Sequence, residues 1–342
     1  MIEYKEGNLL AADVEAIVNT VNCVGVMGKG IALQFKQAFP NNFQAYEMAC
    51  KTDQVKTGHM FITETNSLMN PKYIINFPTK RHWKAKSKIG DIESGLNALI
   101  VDIRRLDIKS VALPPLGCGN GGLDWDEVRP MIEKAFAPLN EVNVWIYPPT
   151  GSPAPDAIKI GTKKPRLTKA RALFIALMAA YSIPGYRLSM LEIQKLAYFL
   201  QVVGEPLKLR FVAHHYGPYA DNLNHVLQAL DGHYIRGYGD RSKDAQIYLL
   251  PNATDEAKNL LKDDTESLKR LAEVTNVIEG FETPYGMELL ATTHWIAAHN
   301  PEFDTSQIID AFQAWNERKA RLFKSDHIEI AWNHLTEIGL MS

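Results

Sequence analysis

Two glycine-rich segments, each directly after a run of β-type residues, constrain the fold of this chain more than any other feature. The first, "NTVNCVGVMGKGIALQF", covers 19–35, and the second, "SVALPPLGCGNGGLDW", covers 110–125. Four of the six residues from Gly117 to Gly122 are glycine. Glycine loses the most conformational freedom on folding, so this density indicates that the backbone must approach something closely. Both segments lead from a strand towards a helical pattern, which points their N–H groups at one crevice near the strand ends.

The first half of the chain alternates between strand and helix patterns. Strand-like runs rich in Val, Ile and aromatic residues cover 16–22, 59–65, 73–79, 110–116 and 142–149. Helical spacing covers 30–39, 92–106 and 125–136, with Asp124 placed to cap the last helix and Pro130 placed to disturb it. This alternation predicts an α/β domain whose mostly parallel sheet is covered by helices on both faces.

The second half has a different pattern. A segment rich in Pro, Gly and Lys, 148–167, predicts a linker. Helical patterns follow over 168–183, 189–204 and 219–232, short strands are expected within 209–217 and 246–250, and helices dominate from 252 onwards. We therefore expect a first domain over 1–150, a linker over 151–166, and a mainly helical domain with a small β wing over 167–342.

The composition excludes several classes of protein. The chain carries 37 basic and 39 acidic residues, so its overall charge does not indicate a nucleic-acid binder, although local patches remain open. Its three cysteines form no CxxC pair, and His214 and His215 lack supporting ligands, so we predict neither a metal nor a cofactor. The start of the chain is unlike a signal peptide and no apolar run is long enough for a membrane span, which predicts a cytoplasmic protein.

Known phosphate-binding motifs do not explain the first glycine segment. Gly28-Lys29 is followed by Gly30, so the hydroxyl residue of a Walker A motif is missing, and the glycine order is not that of a dinucleotide fingerprint. We predict a diphosphate held by backbone N–H groups; the alternative is a pair of tight turns without a ligand. The amides of Asn19 and Asn22 could bind ribose hydroxyls, or could cap the loop backbone.

Together, "EGNLLAADVEAIVNTVNCVGVMGKGIA" and "ALPPLGCGNGGLDW" resemble the macrodomain family of ADP-ribose-binding modules, over roughly residues 1–150. The resemblance implies a three-layer α/β/α fold with a mixed sheet. It places adenine near Asn8, where the family usually has Asp, the distal ribose near Asn22, and the diphosphate between the two loops. The ADP-ribose contacts expected in this way are Gly7, Asn8, Leu9, Asn19, Asn22, Gly28, Lys29, Gly30, Ile31, Thr79, Gly117, Cys118, Gly119, Asn120, Gly121, Gly122 and Leu123.

The stretch "NFPTKRHW", 76–83, resembles family members that hydrolyse terminal ADP-ribose and carry a lysine after a strand at the distal ribose. This likeness implies that Lys80 is catalytic and that the substrate is ADP-ribosylated DNA. Relatives have an Asp near the position of Gly121, whereas here Asp124 lies beyond the loop. As a cation, Lys80 would assist the leaving base; as a neutral amine, it would attack the ribose and form a Schiff base. The sequence leaves both routes open.

The segment "KRHWKAKSK", 80–88, combines cations with aromatic rings, as binding of single-stranded DNA requires. Its predicted DNA-binding residues are Arg81, His82, Trp83, Lys84 and Lys86, and the alternative is a solvated loop. No histidine lies near Cys118 in the sequence, so a packing role is favoured for Cys118 over a nucleophilic one.

The segments "LEIQKLAYFLQ", 191–201, and "HHYGPYADNL", 214–223, resemble a helical domain of toxin-neutralising antitoxins. Between 252 and 310 the chain has twelve Asp or Glu against four Lys or Arg, an acidic excess that would suit a DNA-binding groove of a partner or simply form a solvated surface. We therefore predict an antitoxin that removes ADP-ribose from single-stranded DNA and binds its cognate ADP-ribosyltransferase toxin through 167–342. The alternatives are a hydrolase of ADP-ribosylated protein carboxylates and a non-catalytic ADP-ribose reader.

Overall fold

The structure is a computed structural model that describes residues 1–149, 158–183, 185–239 and 245–341. The chain divides into two compact units. The first unit consists of Met1–Lys163 and Gly239–Ser242, and the second consists of Lys164–Tyr238 and Lys243–Ser342.

A six-stranded mixed sheet forms the centre of the first unit. Its strands lie in the order β1-β6-β5-β2-β4-β3, and only β3 runs antiparallel to its neighbour. The strands are β1 (Ile2–Tyr4), β2 (Ala16–Asn22), β3 (Phe61–Glu64), β4 (Tyr73–Lys80), β5 (Ser110–Leu113) and β6 (Asn143–Ile146). The mixed sheet predicted for this part of the chain is confirmed.

Helices cover both faces of this sheet because its central strand alternates its side chains. Val18 of β2 packs with the apolar sides of α3 and α4, and Ile17 packs on the opposite face with Phe35 of α1. The helices are α1 (Gly30–Ala38), α2 (Pro40–Lys51), α3 (Ile89–Arg105) and α4 (Trp125–Phe136), with a 3-10 turn at Leu9–Ala11. The three-layer macrodomain arrangement is therefore confirmed. Asp124 caps α4 by accepting a hydrogen bond from the N–H of Asp126 at 2.9 Å, and Pro130 lies inside this helix.

Three features of the first unit differ from the sequence-based expectation. Neither β1 nor α2 was expected, and part of the predicted linker is packed. The segment 151–157 of that linker lies outside the described residues. Further along, Ile158 is buried, and the N–H of Gly161 donates to the carbonyl of Gln37 at 2.8 Å. A Cβ on Gly161 would overlap the carbonyl oxygen of Ala38, so this residue lies directly against the end of α1.

The second unit is mainly helical with small β elements, as predicted. Its strands are β7 (Leu188–Ser189), β8 (Val212–His214), β9 (Gly217–Tyr219), β10 (Ile235–Arg236) and β11 (Gln246–Leu249). They form a three-stranded sheet, β10-β11-β7, and a separate hairpin, β8–β9. The helices are α5 (Lys169–Tyr181), α6 (Met190–Val202), α7 (Leu223–Leu230), α8 (Ala253–Leu261), α9 (Thr265–Ile278), α10 (Pro284–His299), α11 (Thr305–Gln313), α12 (Glu317–Leu322) and α13 (Ser325–Glu337).

A buried lysine cluster, consisting of Lys195, Glu288, Arg318 and Lys319, lies inside the second unit. Lys195 Nζ donates to the carbonyl of Pro218 at 2.7 Å, and Lys319 Nζ donates to Glu288 Oε1 at 2.6 Å. Arg318 binds both oxygens of the same carboxylate, at 2.6 and 3.0 Å. Burial lowers the pKa of Lys195 to about 7 and that of Lys319 to about 8. One carboxylate therefore serves several buried cationic groups.

The β8–β9 hairpin is held by its backbone. Trp315 Nε1 donates to the carbonyl of His214 at 2.9 Å, and Asn316 Nδ2 donates to the carbonyl of His215 at 3.0 Å. The residues from Val212 to Tyr216 are all exposed. Main-chain oxygens thus fix the tip while its side chains face solvent.

Within the ranges that the structure describes, none of the helices combines the length and the apolar character needed to cross a bilayer.

Candidate functional site

The two glycine-rich loops meet at one edge of the first unit's sheet. Loop 1, residues 23–29, follows β2, and loop 2, residues 117–123, follows the neighbouring parallel strand β5. A Cβ on Gly30 would lie only 3.1 Å from Nδ2 of Asn120, so the two loops are in close approach. The two glycine segments therefore come together at the strand ends, as predicted, and a ligand crevice between them stays a prediction.

Loop 2 adopts a shape that only glycine accommodates well. Gly117 and Gly122 have φ values of +73° and +76°. A Cβ on Gly121 would overlap the carbonyl oxygen of Gly117 and the Oγ of Ser87. Among the described residues, the backbone N–H groups of Gly119, Asn120 and Gly121 donate no hydrogen bond. Three successive free donors form a concave surface suited to an anion.

Loop 1 is built around the side chain of Asn22. Its Nδ2 donates to the carbonyl of Val26 at 2.6 Å, and its Oδ1 accepts from the N–H groups of Val24 and Val26 at 3.0 and 3.3 Å. The hydroxyl of Tyr46 donates to the carbonyl of Asn22 at 2.6 Å. Both ends of the amide therefore shape the loop, and the contact between Asn22 and ribose stays a prediction.

The end of loop 1 supplies a second set of donors. Within the described part of the chain, the N–H groups of Gly28 and Lys29 make no hydrogen bond. Lys29 is the N-cap residue of α1, and Gly30 and Ile31 begin that helix. Free N–H groups at a helix N-terminus favour negative charge. Both loops therefore present free backbone N–H groups, and binding of a diphosphate between them stays a prediction.

Asn19 lies beneath the crevice. Its side chain is completely buried, and Nδ2 donates to Asn76 Oδ1 at 3.0 Å. The chain of buried amides continues from Asn76 Nδ2 to Asn42 Oδ1 at 2.7 Å, where Thr63 Oγ1 also donates at 2.8 Å. This network joins β2, β4, β3 and α2. The ribose contact of Asn19 stays a prediction, and the network itself has no counterpart in the sequence analysis.

The residues expected at adenine form a turn after β1. Gly7 has a φ of +101°, and Asn8 Oδ1 accepts from the N–H of Leu10 at 3.0 Å, which caps the 3-10 turn. Leu9 is buried in the apolar cluster that includes Phe35. The contact of these residues with adenine stays a prediction.

Lys80 lies where the two loops and β4 meet. Its Nζ donates to the carbonyl of Asn120 at 3.0 Å and to the carbonyl of Trp83 at 3.2 Å. The preceding residue, Thr79, is buried and donates to the carbonyl of Val21 at 3.4 Å. Partial burial lowers the pKa of Lys80 below that of an ordinary lysine. An amine with a lowered pKa therefore lies next to the free N–H groups of loop 2, and its catalytic role stays a prediction.

The segment 81–88, here called the basic loop, follows directly. Residues 81–86 are all exposed, and the His82 and Trp83 rings stack with centroids 5.5 Å apart. Lys84 Nζ lies 4.9 Å from the centroid of the Trp83 ring. Arg81 differs from the other residues predicted to bind DNA, because its Nη1 and Nη2 each donate to one oxygen of Asp91 at 2.9 Å. Sequence reasoning missed Asp91, which lies ten residues further along.

Cys118 packs against the apolar core on the side of α3 and α4. Burial raises the pKa of its thiol to about 11, so the reactive thiolate is disfavoured. This agrees with the packing role.

In the described ranges, no group of three His, Cys, Asp or Glu residues could hold a metal ion.

Comparisons with known proteins agree with this geometry. The model of the Macro domain family matches residues 18–132. A DNA ADP-ribosyl glycohydrolase of Thermus aquaticus is 48% identical over 100% of this chain and 94% of its own length. A DNA ADP-ribosyl transferase–DNA ADP-ribosyl glycohydrolase fusion protein of Thermosipho africanus is 36% identical over 44% of this chain and 42% of its own length.

Among solved structures, the macrodomain of Mycobacterium tuberculosis DarG is 59% identical, with a TM-score of 0.44, and the match covers 44% of this chain and 99% of that one. The match to the Thermus protein, in contrast, runs through both units described above and covers nearly the whole of both chains. On this full-length similarity, the chain belongs to the DNA ADP-ribosyl glycohydrolase family and carries a Macro domain in its N-terminal part.

Proposed function

We propose that this protein cleaves the N-glycosidic bond between ADP-ribose and a base of single-stranded DNA. One observation carries the proposal: Lys80 Nζ donates to the carbonyl of Asn120, whose own N–H belongs to the free donor row of loop 2. A diphosphate held by that row brings the adjoining ribose next to the amine. Remote binding of the diphosphate therefore orients the reacting carbon for catalysis.

The hydrogen bonds of Lys80 favour a cationic role. An ammonium has three N–H donors, and two of them are directed at the carbonyls of Asn120 and Trp83. The third is available to the leaving base, which gains the electron pair of the broken bond and takes up a proton. Water supplies the hydroxyl group at the ribose carbon, and its remaining proton restores the ammonium of Lys80. Activity should then fall as the pH rises through the lowered pKa of Lys80, and a rise instead would support the Schiff-base route.

The basic loop supports a nucleic-acid substrate. Its exposed Trp83 ring, with His82, Lys84 and Lys86 around it, combines a stacking surface with cations for phosphates. The names of the relatives agree, since the Thermus aquaticus protein is described as acting on ADP-ribosylated DNA.

The test is a release assay with the full chain. Purified protein and its Lys80→Ala variant are incubated with ADP-ribosylated single-stranded DNA and, separately, with ADP-ribosylated protein, while calorimetry measures the affinity for ADP-ribose. We expect release from DNA only, lost in Lys80→Ala with ADP-ribose binding retained. Release from the modified protein alone would identify the carboxylate hydrolase, and binding without release from either substrate would identify a reader.

We also propose that 167–342 binds and blocks a DNA ADP-ribosyltransferase toxin. The Thermosipho africanus relative supports it, because its name joins the transferase and the hydrolase in one chain. The acidic excess of 252–310 is smaller at the surface than in the sequence, because five carboxylates form ion pairs: Glu256, Asp264, Glu266, Glu273 and Glu288. Of the seven others, which make no ion pair among the described residues, Asp304 caps α11 and six remain for a partner: Asp255, Asp263, Glu279, Glu282, Glu302 and Asp310.

Full-length Lys80→Ala separates neutralisation from repair, because it should lack hydrolysis but keep the second unit intact. Added to the transferase with DNA, it should still suppress transfer of ADP-ribose. Unchanged transfer at excess variant would exclude direct neutralisation.

A further inference from the structure

We propose that Arg81 is a positioning residue for Lys80 that acts through its ion pair with Asp91, and that it does not serve as a DNA contact. The inference rests on the proposed role of Lys80 in catalysis. The ion pair is connected to the amine of Lys80 by hydrogen bonds at both of its ends.

Asp91 provides a fixed end for the pair. It lies in the first turn of α3 and is only 8% exposed, and the next residue, Ile92, is completely buried in the core. A carboxylate in the first turn of a helix is stabilised by the helix dipole. Both Asp91 oxygens accept from Arg81 at 2.9 Å, a two-point contact that restricts the guanidinium in position and in orientation. The start of the basic loop is thereby attached to a core helix.

Arg81 also contacts loop 1 through its backbone. Its carbonyl accepts from the N–H of Cys23 at 3.3 Å, immediately after the loop-shaping Asn22. The residue that follows Lys80 therefore joins β4, loop 1 and α3. Any shift of Arg81 moves the point at which the Lys80 side chain leaves the strand.

The other end of the basic loop is attached to loop 2. The N–H of Ser87 donates to the carbonyl of Gly121 at 2.9 Å, and the carbonyl of Lys88 accepts from the N–H of Asp91 at 3.0 Å. Trp83 lies between the attachments at Arg81 and Ser87, and its carbonyl accepts from Lys80 Nζ at 3.2 Å. The second acceptor, the carbonyl of Asn120, directly precedes Gly121. The amine is thus held by two loops that are fixed to each other at Ser87 and to α3 at Arg81.

A DNA-contact role for Arg81 is disfavoured by this arrangement. Two of the five N–H groups of its guanidinium bind a buried carboxylate that already matches its charge, so a phosphate gains less from Arg81 than from an unpaired lysine. Lys84 and Lys86, in contrast, form no ion pair among the described residues. We therefore assign the phosphate contacts to these lysines, and the ordering of the basic loop to Arg81.

The experiment compares Arg81→Ala, Arg81→Lys and Asp91→Asn in the full chain, with ADP-ribosylated single-stranded DNA as substrate. Misplacement of a catalytic group by about 1 Å costs on the order of 100-fold in rate, so we expect kcat to fall roughly 10- to 100-fold in Arg81→Ala and Asp91→Asn. KM and the affinity for ADP-ribose should change less than about threefold, since the diphosphate donors are untouched. Arg81→Lys keeps the charge but not the two-point contact, and should retain an intermediate kcat.

Arg105→Ala is the matched control. Arg105 also pairs with an aspartate of α3, Asp102, and its side chain is 60% exposed, as that of Arg81 is. It lies at the far end of the helix, so its loss should leave kcat unchanged and sets the reference for melting temperature.

Asp91→Asn decides between the two roles. If Arg81 binds DNA, removing its carboxylate partner leaves kcat unchanged, whereas Arg81→Ala raises KM in a salt-dependent way; that pattern overturns the proposal. If Asp91→Asn misfolds and loses ADP-ribose binding, Arg81→Lys decides instead. A kcat of Arg81→Lys below that of the wild type with an unchanged KM then supports positioning. A raised KM overturns it. Lys80→Ala measured in parallel separates failure of this inference from failure of the proposed function.

Discussion

Each unit of the molecule contains a lysine whose pKa is lowered by burial, and the two lysines differ in what surrounds them. Lys80 is partly exposed, donates to two loop carbonyls and adjoins a row of free N–H groups. Lys195 is 2% exposed, donates to the carbonyl of Pro218, and lies among Lys319 and Glu288 inside a helical core. A lowered pKa alone therefore does not identify a catalytic amine; of these two lysines, Lys80 combines it with partial exposure and neighbouring free N–H groups, and Lys195 does not.

The same contrast applies to the glycines. Gly119 of loop 2 has open space where a Cβ would lie and a free N–H, whereas Gly217 of the hairpin, with a φ of +88°, lies against buried Thr292 and Lys195. Gly119 thus leaves room next to a free donor, and Gly217 allows close packing.

The largest expected effect tests the two lysines directly. We expect Lys80→Ala to lower the rate of ADP-ribose release by about 1000-fold, because general acid catalysis contributes about 100- to 10,000-fold. Lys195→Met should leave that rate unchanged, since its amine cannot reach a substrate. Release rates and melting temperatures of both variants check the prediction. An equal loss of activity in the two variants would contradict the different roles given to Lys80 and Lys195.

In the second unit, the buried titratable groups should make the free energy of unfolding depend on pH. Burial lowers the pKa of His294 to about 4, below the usual 6.5, while Tyr198 Oη lies 2.7 Å from its Nδ1. The folded state then binds fewer protons than the unfolded state, so the free energy of unfolding should fall by up to about 3 kcal/mol as the pH drops from 6.5 to 4.

Denaturant titrations of His294→Asn and of the exposed control His225→Asn at several pH values measure this effect. The control should keep the pH dependence of the wild type, and His294→Asn should lose most of it. Parallel curves for all three proteins would show that His294 is not the responsible group.

A smaller effect should distinguish Gly119 from Gly121 in loop 2. A Cβ on Gly119 has nothing within 4 Å, whereas one on Gly121 would overlap Gly117 and Ser87. Gly121→Ala should therefore lower both the melting temperature and the affinity for ADP-ribose. Gly119→Ala should lower only the affinity, because its methyl group would hinder the approach of the diphosphate to the free N–H groups. The loss of about one hydrogen bond to a charged group corresponds to roughly tenfold in affinity. Calorimetry and thermal melts distinguish them, and unchanged affinity in both would contradict the backbone cradle.

The smallest expected effect concerns the basic loop. Lys84→Ala combined with Lys86→Ala should weaken binding of ADP-ribosylated DNA several-fold at low salt, less at high salt, and leave binding of free ADP-ribose unchanged. The control is Lys51→Ala, an exposed lysine that pairs with Glu47 on α2. Equal losses for DNA and for free ADP-ribose would contradict a role in tracking the strand.

Much of the first unit could be predicted because its strands are apolar and its helices amphipathic. The pattern located β2 and α4 at the bounds that the structure shows, and it located loops 1 and 2 between the correct elements. The helix α2 was missed because its sequence begins with Pro40 and contains Asn42, which is buried by hydrogen bonds and not by apolar packing. Side-chain networks of this kind leave no periodic signal.

The loops of the site could be predicted from the sequence, but the hydrogen-bond partners of its residues could not. Lys80 and the glycines follow from their places after strands, but the pairing of Arg81 with Asp91 and the insertion of Ser87 under Gly121 depend on how a loop folds back. Similarly, the helical spacing of the second half indicated a core without revealing that Lys195 and Lys319 lie inside it. Hydrogen bonds between distant residues decide these positions, and local patterns do not encode them.

The attachment of the β8–β9 hairpin has an evolutionary consequence. Because Trp315 and Asn316 bind carbonyl oxygens, which every residue type provides, replacement of the His214 or His215 side chain removes neither of these two bonds. The attachment of this tip therefore tolerates a change of either histidine side chain, so its side chains can vary without loss of the two bonds that hold it.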